Sequence, residues 1–188
     1  MSSARERIIE ATLTLVAEQG LAGVTMVAVA KSAGVARATL YNHYPDISSI
    51  LAEATVAHNR HATDGLRQAL AVVSTPPQAI EQVVRHVASI STPGHTLVSR
   101  QDFPPDLRDE LAAFDVELEH QIRSILTEGA ASGDFRPDLN HDVTAALLRH
   151  ALNGVSELVA ASPKRAAPIA ADATTTLLAA ITQPKAHR

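Results

Sequence analysis

At 188 residues the chain is long enough to bury a real core, as one large domain or two small ones. It contains no cysteine, which excludes disulfides, thiolate nucleophiles and cysteine-type zinc sites. Net charge is −4 and only 3% of residues are aromatic. Alanine and leucine prevail without the alternation of a strand, so an all-α protein is expected.

The charge is unevenly spread. Residues 1–60 carry as many basic as acidic groups, so the whole deficit falls on the remainder. No run approaches the roughly 20 apolar residues that span a bilayer. Met-Ser-Ser-Ala-Arg-Glu-Arg leads into a charged amphipathic helix rather than a signal core, so a cytoplasmic protein without membrane partners is expected.

In chain order, a first helix is expected over about Ser3–Gln19, with Ile8, Thr12, Leu15 and Val16 on one face and Gly20 as a left-handed cap. Thr25 is a good N-cap for a second helix, whose Met26, Val29, Ala30 and Ala33 repeat at helical spacing. Gly34 supplies the positive φ of a tight turn, and a third helix covers about Arg37–His43. Pro45 closes it, and Asp46 can cap a long helix to about Val73. Thr75-Pro76-Pro77 opens a fifth helix to about Ser91. A short helix around His95–Gln101, a long one over Pro105–Ala131 ended by Gly133, one from Asn140 or Asp138 to about Ala161, and a last one over Arg165–Thr182 complete about nine helices. The predicted division is 1–46 as head and 47–188 as body.

Two short helices around Ala33-Gly34 have the build of a helix-turn-helix, whose second helix lies in the DNA major groove. The run Thr25-x3-Val29-Ala30-x2-Ala33-Gly34-Val35, then Thr39-Leu40-Tyr41-x-His43-Tyr44, then Leu51, resembles the tetracycline-repressor type of transcriptional regulator. The body resembles that family in helix count and in Gly129-x3-Gly133-Asp134-Phe135. The resemblance implies a homodimer on a palindromic operator in double-stranded DNA. A small-molecule effector in the body would release it, or in some members promote binding.

Arg37 at the start of the third helix can grip guanine O6 and N7 together. Thr39 can reach a base or phosphate, with Ala38 beside it, and Asn42 can pair with adenine. Tyr41, His43 and Thr25 offer phosphate donors, while Leu40 is expected in the core. Three departures from the family pattern stand out. Ala36 replaces the usual Ser or Thr cap, Ile47 stands where a basic residue is frequent, and Asp46 repels phosphate. Ser48 and Ser49 are neutral donors in their place. Few ionic contacts and a shallow salt dependence are therefore expected.

In the body an apolar effector pocket is expected among His86, Val87, Ile90, Leu97, Phe103, Phe114, Leu118, Ile122, His150 and Asn153. The last two helices carry apolar stripes, Val143, Leu147, Ala151, Gly154, Val155, Leu158 and Ile169, Ala173, Leu177, Ile181. In the family this pair meets its copy as a four-helix bundle.

The rival readings are weaker. His58, His61 and Asp64 share a face that a metal would accept, but Arg60 beside them does not suit one. Carboxylates from Asp102 to Glu119 are scattered, with no nucleophile motif or phosphate loop, so neither an enzyme nor a cofactor is expected. A helical small-molecule-binding or adaptor protein, whose head no longer binds DNA tightly, is the alternative.

Overall fold

The computed structural model describes residues 3–20, 23–91 and 105–183, with side chains throughout these except at 105–111. The described residues form eight α-helices and no strand. They are α1 (Ala4–Gln19), α2 (Met26–Ala33), α3 (Arg37–His43), α4 (Ile47–Leu70), α5 (Pro76–Ile90), α6 (Pro105–Ser132), α7 (His141–Ala161) and α8 (Ala166–Ile181). A 3-10 turn over Pro163–Arg165 joins the last two. The helix expected around His95–Gln101 lies outside the described residues.

Local chemistry sets the boundaries. Ser3 and Glu6 form a reciprocal capping box: the Glu6 amide donates to Ser3 Oγ at 3.1 Å, and the Ser3 amide donates to Glu6 Oε2 at 3.0 Å. Gly20 ends α1 at φ 67°, but its ψ of 179° is extended. It is therefore not the left-handed cap the sequence suggested, yet it still occupies a region open mainly to glycine. Asp46 caps α4 by accepting from both the amide and the hydroxyl of Ser49 at 2.8 Å. That helix stops at Leu70, one turn short of the expected Val73. Asn140, not Asp138, caps α7, accepting from the Val143 amide at 3.1 Å.

Two compact units emerge. Of the described residues, 3–20, 23–61 and 105–113 lie in the first, and 62–91 with 114–183 lie in the second. The continuous helix α4 contributes its first part to one unit and Ala62–Leu70 to the other. The core of the first unit is Ile8, Leu15, Val24, Val29, Leu40, Tyr44 and Ile50, with small alanines between them. The core of the second joins Leu66, the apolar face of α5, and residues of α6, α7 and α8 around Ile122, Leu126, Phe135 and Leu152.

Phe135 anchors the turn after α6. Its ring is fully buried and packs on Gly129, where any Cβ would collide with it. The Phe135 amide donates to the Gly129 carbonyl at 2.9 Å, and Arg136 donates to the Ile181 carbonyl at 2.9 Å. Gly133 makes the reversal possible at φ 80°.

Candidate nucleic-acid interface

The α2–α3 turn is fixed at both ends by hydrogen bonds. Thr25 Oγ1 accepts from the Ala28 amide at 3.1 Å and so begins α2. Gly34 is left-handed, φ 62° and ψ 37°, and the Val35 amide reaches back to the Ala30 carbonyl at 3.0 Å. No other atom comes within 4 Å of where a Cβ would sit on Gly34. The residue is thus required by its backbone angle rather than by crowding.

Helix α3 then divides by face. Leu40 is wholly buried, as the sequence suggested, while Arg37, Ala38, Tyr41, Asn42 and His43 are exposed and Thr39 is half-buried. Tyr41, at 56% exposed, is among the most solvent-accessible large side chains of the unit. Ala36 makes no side-chain capping bond, so the α3 amides at that end have no side-chain partner there. Thr25 and Ser48 are exposed at the starts of α2 and α4. Ser49 already donates to Asp46, and Ile47 packs against the core of this unit. Packing thus accounts for the apolar residue where the family often places a cation. Among the neutral donors expected at the start of α4, Ser48 has the more accessible hydroxyl.

A three-residue brace behind α3 escaped the sequence reading. Arg5 Nε and Nη2 each donate to Glu53 at 2.7 Å, and the Tyr44 hydroxyl donates to Glu53 Oε2 at 2.9 Å. The guanidinium also lies 5.9 Å from the Tyr44 ring centroid. Tyr44 is the C-cap of α3, so the brace ties the end of that helix to α1 and α4. The Arg5 hydrogen bonds outweigh partial burial and hold the Glu53 carboxyl below its ordinary range. Burial first, then the neighbouring carboxylate, pushes the Tyr44 hydroxyl up to about 12.

Both shifts carry a sign for stability. A depressed carboxylate stabilises above its unfolded value and loses that contribution as pH falls through the folded one. A raised phenol stabilises below its unfolded value of 10.0 and loses the contribution as pH climbs to about 12. Tyr44→Phe is expected to cost about 1 kcal/mol at neutral pH and to flatten the alkaline limb between 10 and 12. Urea melts of both proteins across that range check it, and an unchanged alkaline limb would refute the assignment.

In the second unit the predicted pocket residues separate. Leu118 and Ile122 are buried, Phe114 and Ile90 are half-buried, and His86 is half-buried with Nε2 2.7 Å from the Ala62 carbonyl. His150 and Asn153 are exposed on α7, because they lie on the side of that helix away from Leu148 and Leu152. Their expected place in an interior pocket is corrected accordingly. Leu97 and Phe103 lie outside the described residues. An apolar void of about 10 Å³, lined by Ile80, Val83, Val84, Ile122, Leu148, Leu152 and Leu177, is scarcely large enough for one water molecule.

The expected pairing stripe also splits. Val143, Leu147, Ala151 and Leu158 are exposed, Leu147 at 64%, and Gly154 has open space around it. Val155 and Ile181 are instead buried in the unit's own core, so their side chains offer no surface to a partner. Ile169, Ala173 and Leu177 are half-buried against that core. No cluster of three or more metal-binding side chains occurs among the described residues, where Asp64 pairs with Arg67 at 3.8 Å. No helix among them is long and apolar enough to cross a membrane.

Residues 8–54 match the family described as bacterial regulatory proteins, tetR family. The transcriptional repressor KstR2 of Mycolicibacterium smegmatis, of helix-turn-helix type, is 28% identical over 157 residues, which is 79% of this chain and 75% of KstR2. The chain is thus TetR-like in this segment. The matched segment holds α2, α3 and the turn between them. The fold agrees with solved structures of the same kind. A transcriptional regulator from Saccharomonospora viridis, solved with choline, superposes with a TM-score of 0.83 at 21% identity, over 98% of this chain and 100% of that one. The regulator FadR from Bacillus subtilis, solved with stearoyl-CoA, gives 0.75 at 18% identity, over 92% and 97%.

Proposed function

We propose that this TetR-like regulator is an effector-controlled repressor that binds a palindromic operator as a homodimer. The observation that carries the reading is the outward face of α3, where Arg37, Tyr41, Asn42 and His43 stand clear of a well-packed helix-turn-helix. In a dimer two such helices enter successive major grooves, roughly 34–36 Å apart. Arg37, Asn42 and Thr39, flanked by Ala38, would read bases. Tyr41, His43, Thr25 and Ser48 would hold phosphates. The expected head, 1–46, then extends in its packing into the first part of α4.

Repression is supported by the repressor KstR2, and an effector with an aliphatic portion by FadR with stearoyl-CoA. The apolar walls contributed by α5 to α8 suit such a molecule. Because the void holds scarcely a water, an effector has to part those helices to enter. That displacement is the means by which binding would favour one arrangement of the protein over another. No catalytic step is proposed.

The exposed line of Val143, Leu147, Ala151 and Leu158 on α7 is assigned to the dimer contact. Leu147→Glu is expected to shift the protein to monomer in sedimentation velocity without lowering its melting temperature, since the side chain contributes little to its own core. A variant that remains dimeric would remove α7 from the contact.

The deciding experiment is selection of the purified protein against a random duplex pool at two salt concentrations. An enriched palindrome is the expected result. Its log–log salt slope should be no steeper than about −6, because the head has no excess of basic over acidic groups. Failure of a folded dimer to enrich any sequence would instead favour the adaptor reading, which that same charge balance motivates.

A further inference from the structure

The core of the second unit is hydrocarbon almost throughout, and two hydroxyls interrupt it. Ser91, the C-cap of α5, is 8% exposed, and Ser156 on α7 is 9% exposed. No other polar or charged side chain is buried in that unit among the described residues. The two oxygens lie 2.8 Å apart, and Ser91 Oγ is also 2.6 Å from the Val87 carbonyl. Burying a hydroxyl is unfavourable unless it is fully paired, so a serine pair in this place needs a reason.

The protons available leave one atom incomplete, because each hydroxyl has a single proton to give. If Ser91 donates to the Val87 carbonyl, Ser156 has to donate to Ser91, and the Ser156 oxygen then accepts nothing. If Ser91 donates to Ser156 instead, the Ser156 proton has no acceptor among the described residues. Either way the incomplete atom is Ser156 Oγ. By switching between these arrangements the pair can offer a newcomer an acceptor or a donor.

The serines also stand at the end of an apolar seam between α5 and α7. Ser156 follows Leu152 by one turn of α7, and Ser91 follows Val84 by two turns of α5. Leu152 and Val84 both line the small void already described. At about 1.5 Å per residue, the serines lie roughly 6–10 Å along the helices from those two side chains.

We propose that Ser91 and Ser156 form the polar end of the effector site, and that this site takes an uncharged amphipathic molecule. The aliphatic body of the molecule parts α5 from α7 at Val84 and Leu152. Its terminal alcohol or ketone oxygen completes the hydrogen bonding of Ser156. A carboxylate or an ammonium is disfavoured, since no buried charge of opposite sign awaits it among the described residues. The proposal deepens the effector reading given above and rests on it.

The test is calorimetric titration of the full chain with n-octanol, methyl hexyl ketone, octanoate and octyltrimethylammonium. The alcohol and the ketone are expected to bind, and the two ions to bind at least about tenfold more weakly. Hydrogen exchange should show altered protection in 76–91 and 141–161 when the alcohol is bound. Ser156→Ala keeps the apolar seam and should lower alcohol affinity about fivefold, the worth of one neutral hydrogen bond. Ser89→Ala, exposed on α5, should leave that affinity unchanged. An ion bound as tightly as the alcohol, or a native chain that takes none of the probes, overturns the proposal. So does native alcohol affinity in Ser156→Ala. The comparison of probes on the native chain stands even if the variant fails to fold. Binding to the operator found by selection is measured on the same preparation. Operator binding without alcohol binding overturns this site and leaves the regulator reading intact. Alcohol binding without operator binding keeps the site and favours the adaptor reading.

Discussion

Replacing Arg37 and Tyr41 together by alanine is expected to weaken operator binding by roughly 30- to 1,000-fold, while unfolding is barely altered. Both side chains are exposed and neither belongs to the core of the unit. A bidentate arginine–guanine contact carries about 1–3 kcal/mol of discrimination. A tyrosine–phosphate hydrogen bond adds on the order of 1 kcal/mol, and each 1.4 kcal/mol is about tenfold in affinity. The two should also differ in kind. Arg37→Ala alone is expected to flatten the preference at one base position, whereas Tyr41→Ala should weaken all sequences alike. Fluorescence anisotropy against the selected operator and single-base variants distinguishes these outcomes. Unchanged affinity of the double variant would take α3 out of the major groove. Leu40→Ala, one residue away, is the contrasting case: its loss of binding would follow from loss of the fold.

The largest effect on stability is expected at the other end of the chain. Phe135→Ala should cost about 3–5 kcal/mol, because a fully buried ring is removed from the second core, where it packs on Gly129 of α6. That is a large fraction of the roughly 5–15 kcal/mol that keeps a domain folded. Gly129→Ala attacks the same contact from the opposite side and should cost about 1–3 kcal/mol or more, since its methyl group would overlap the ring. Gly133→Ala meets no neighbouring atom and pays only for its positive φ, about 1–2 kcal/mol. Urea midpoints should therefore fall in the order Gly133→Ala, Gly129→Ala, Phe135→Ala. A near-native midpoint for Phe135→Ala would show that the ring is not what holds α6 to its neighbours.

Local signals were readable from the sequence because they act over three or four residues. Thr25, Asp46 and Asn140 cap as their side chains dictate, and Gly34 adopts the angle that the turn demands. Leu40 is inward because it belongs to the same short amphipathic repeat as the rest of α3. The Arg5–Glu53–Tyr44 brace was not readable, since its members lie up to 48 residues apart and charged pairs carry no periodicity. The sorting of α7 was not readable either. That helix has apolar residues on nearly every side, so spacing alone could not tell Leu147, which is exposed, from Val155, which is buried. His150 and Asn153 were misplaced for the same reason, as polar groups on a helix whose phase was undetermined. His86 was expected as a pocket wall, but Gly65 on α4 leaves room for its ring and so decides what it touches.

The brace behind α3 has a consequence for how the proposed regulator can be silenced. The polar hold on Tyr44 from the amino-terminal side runs through Arg5, which sits in the first turn of α1, two positions after the Ser3 cap. A peptidase that nicked the chain just before Glu6 would leave every exposed side chain of α3 in the chain. It would nonetheless remove the cap and the guanidinium together, and leave Glu53 with Tyr44 alone. A cut of this kind, more than thirty residues upstream of Arg37, would act as an off-switch that needs no effector.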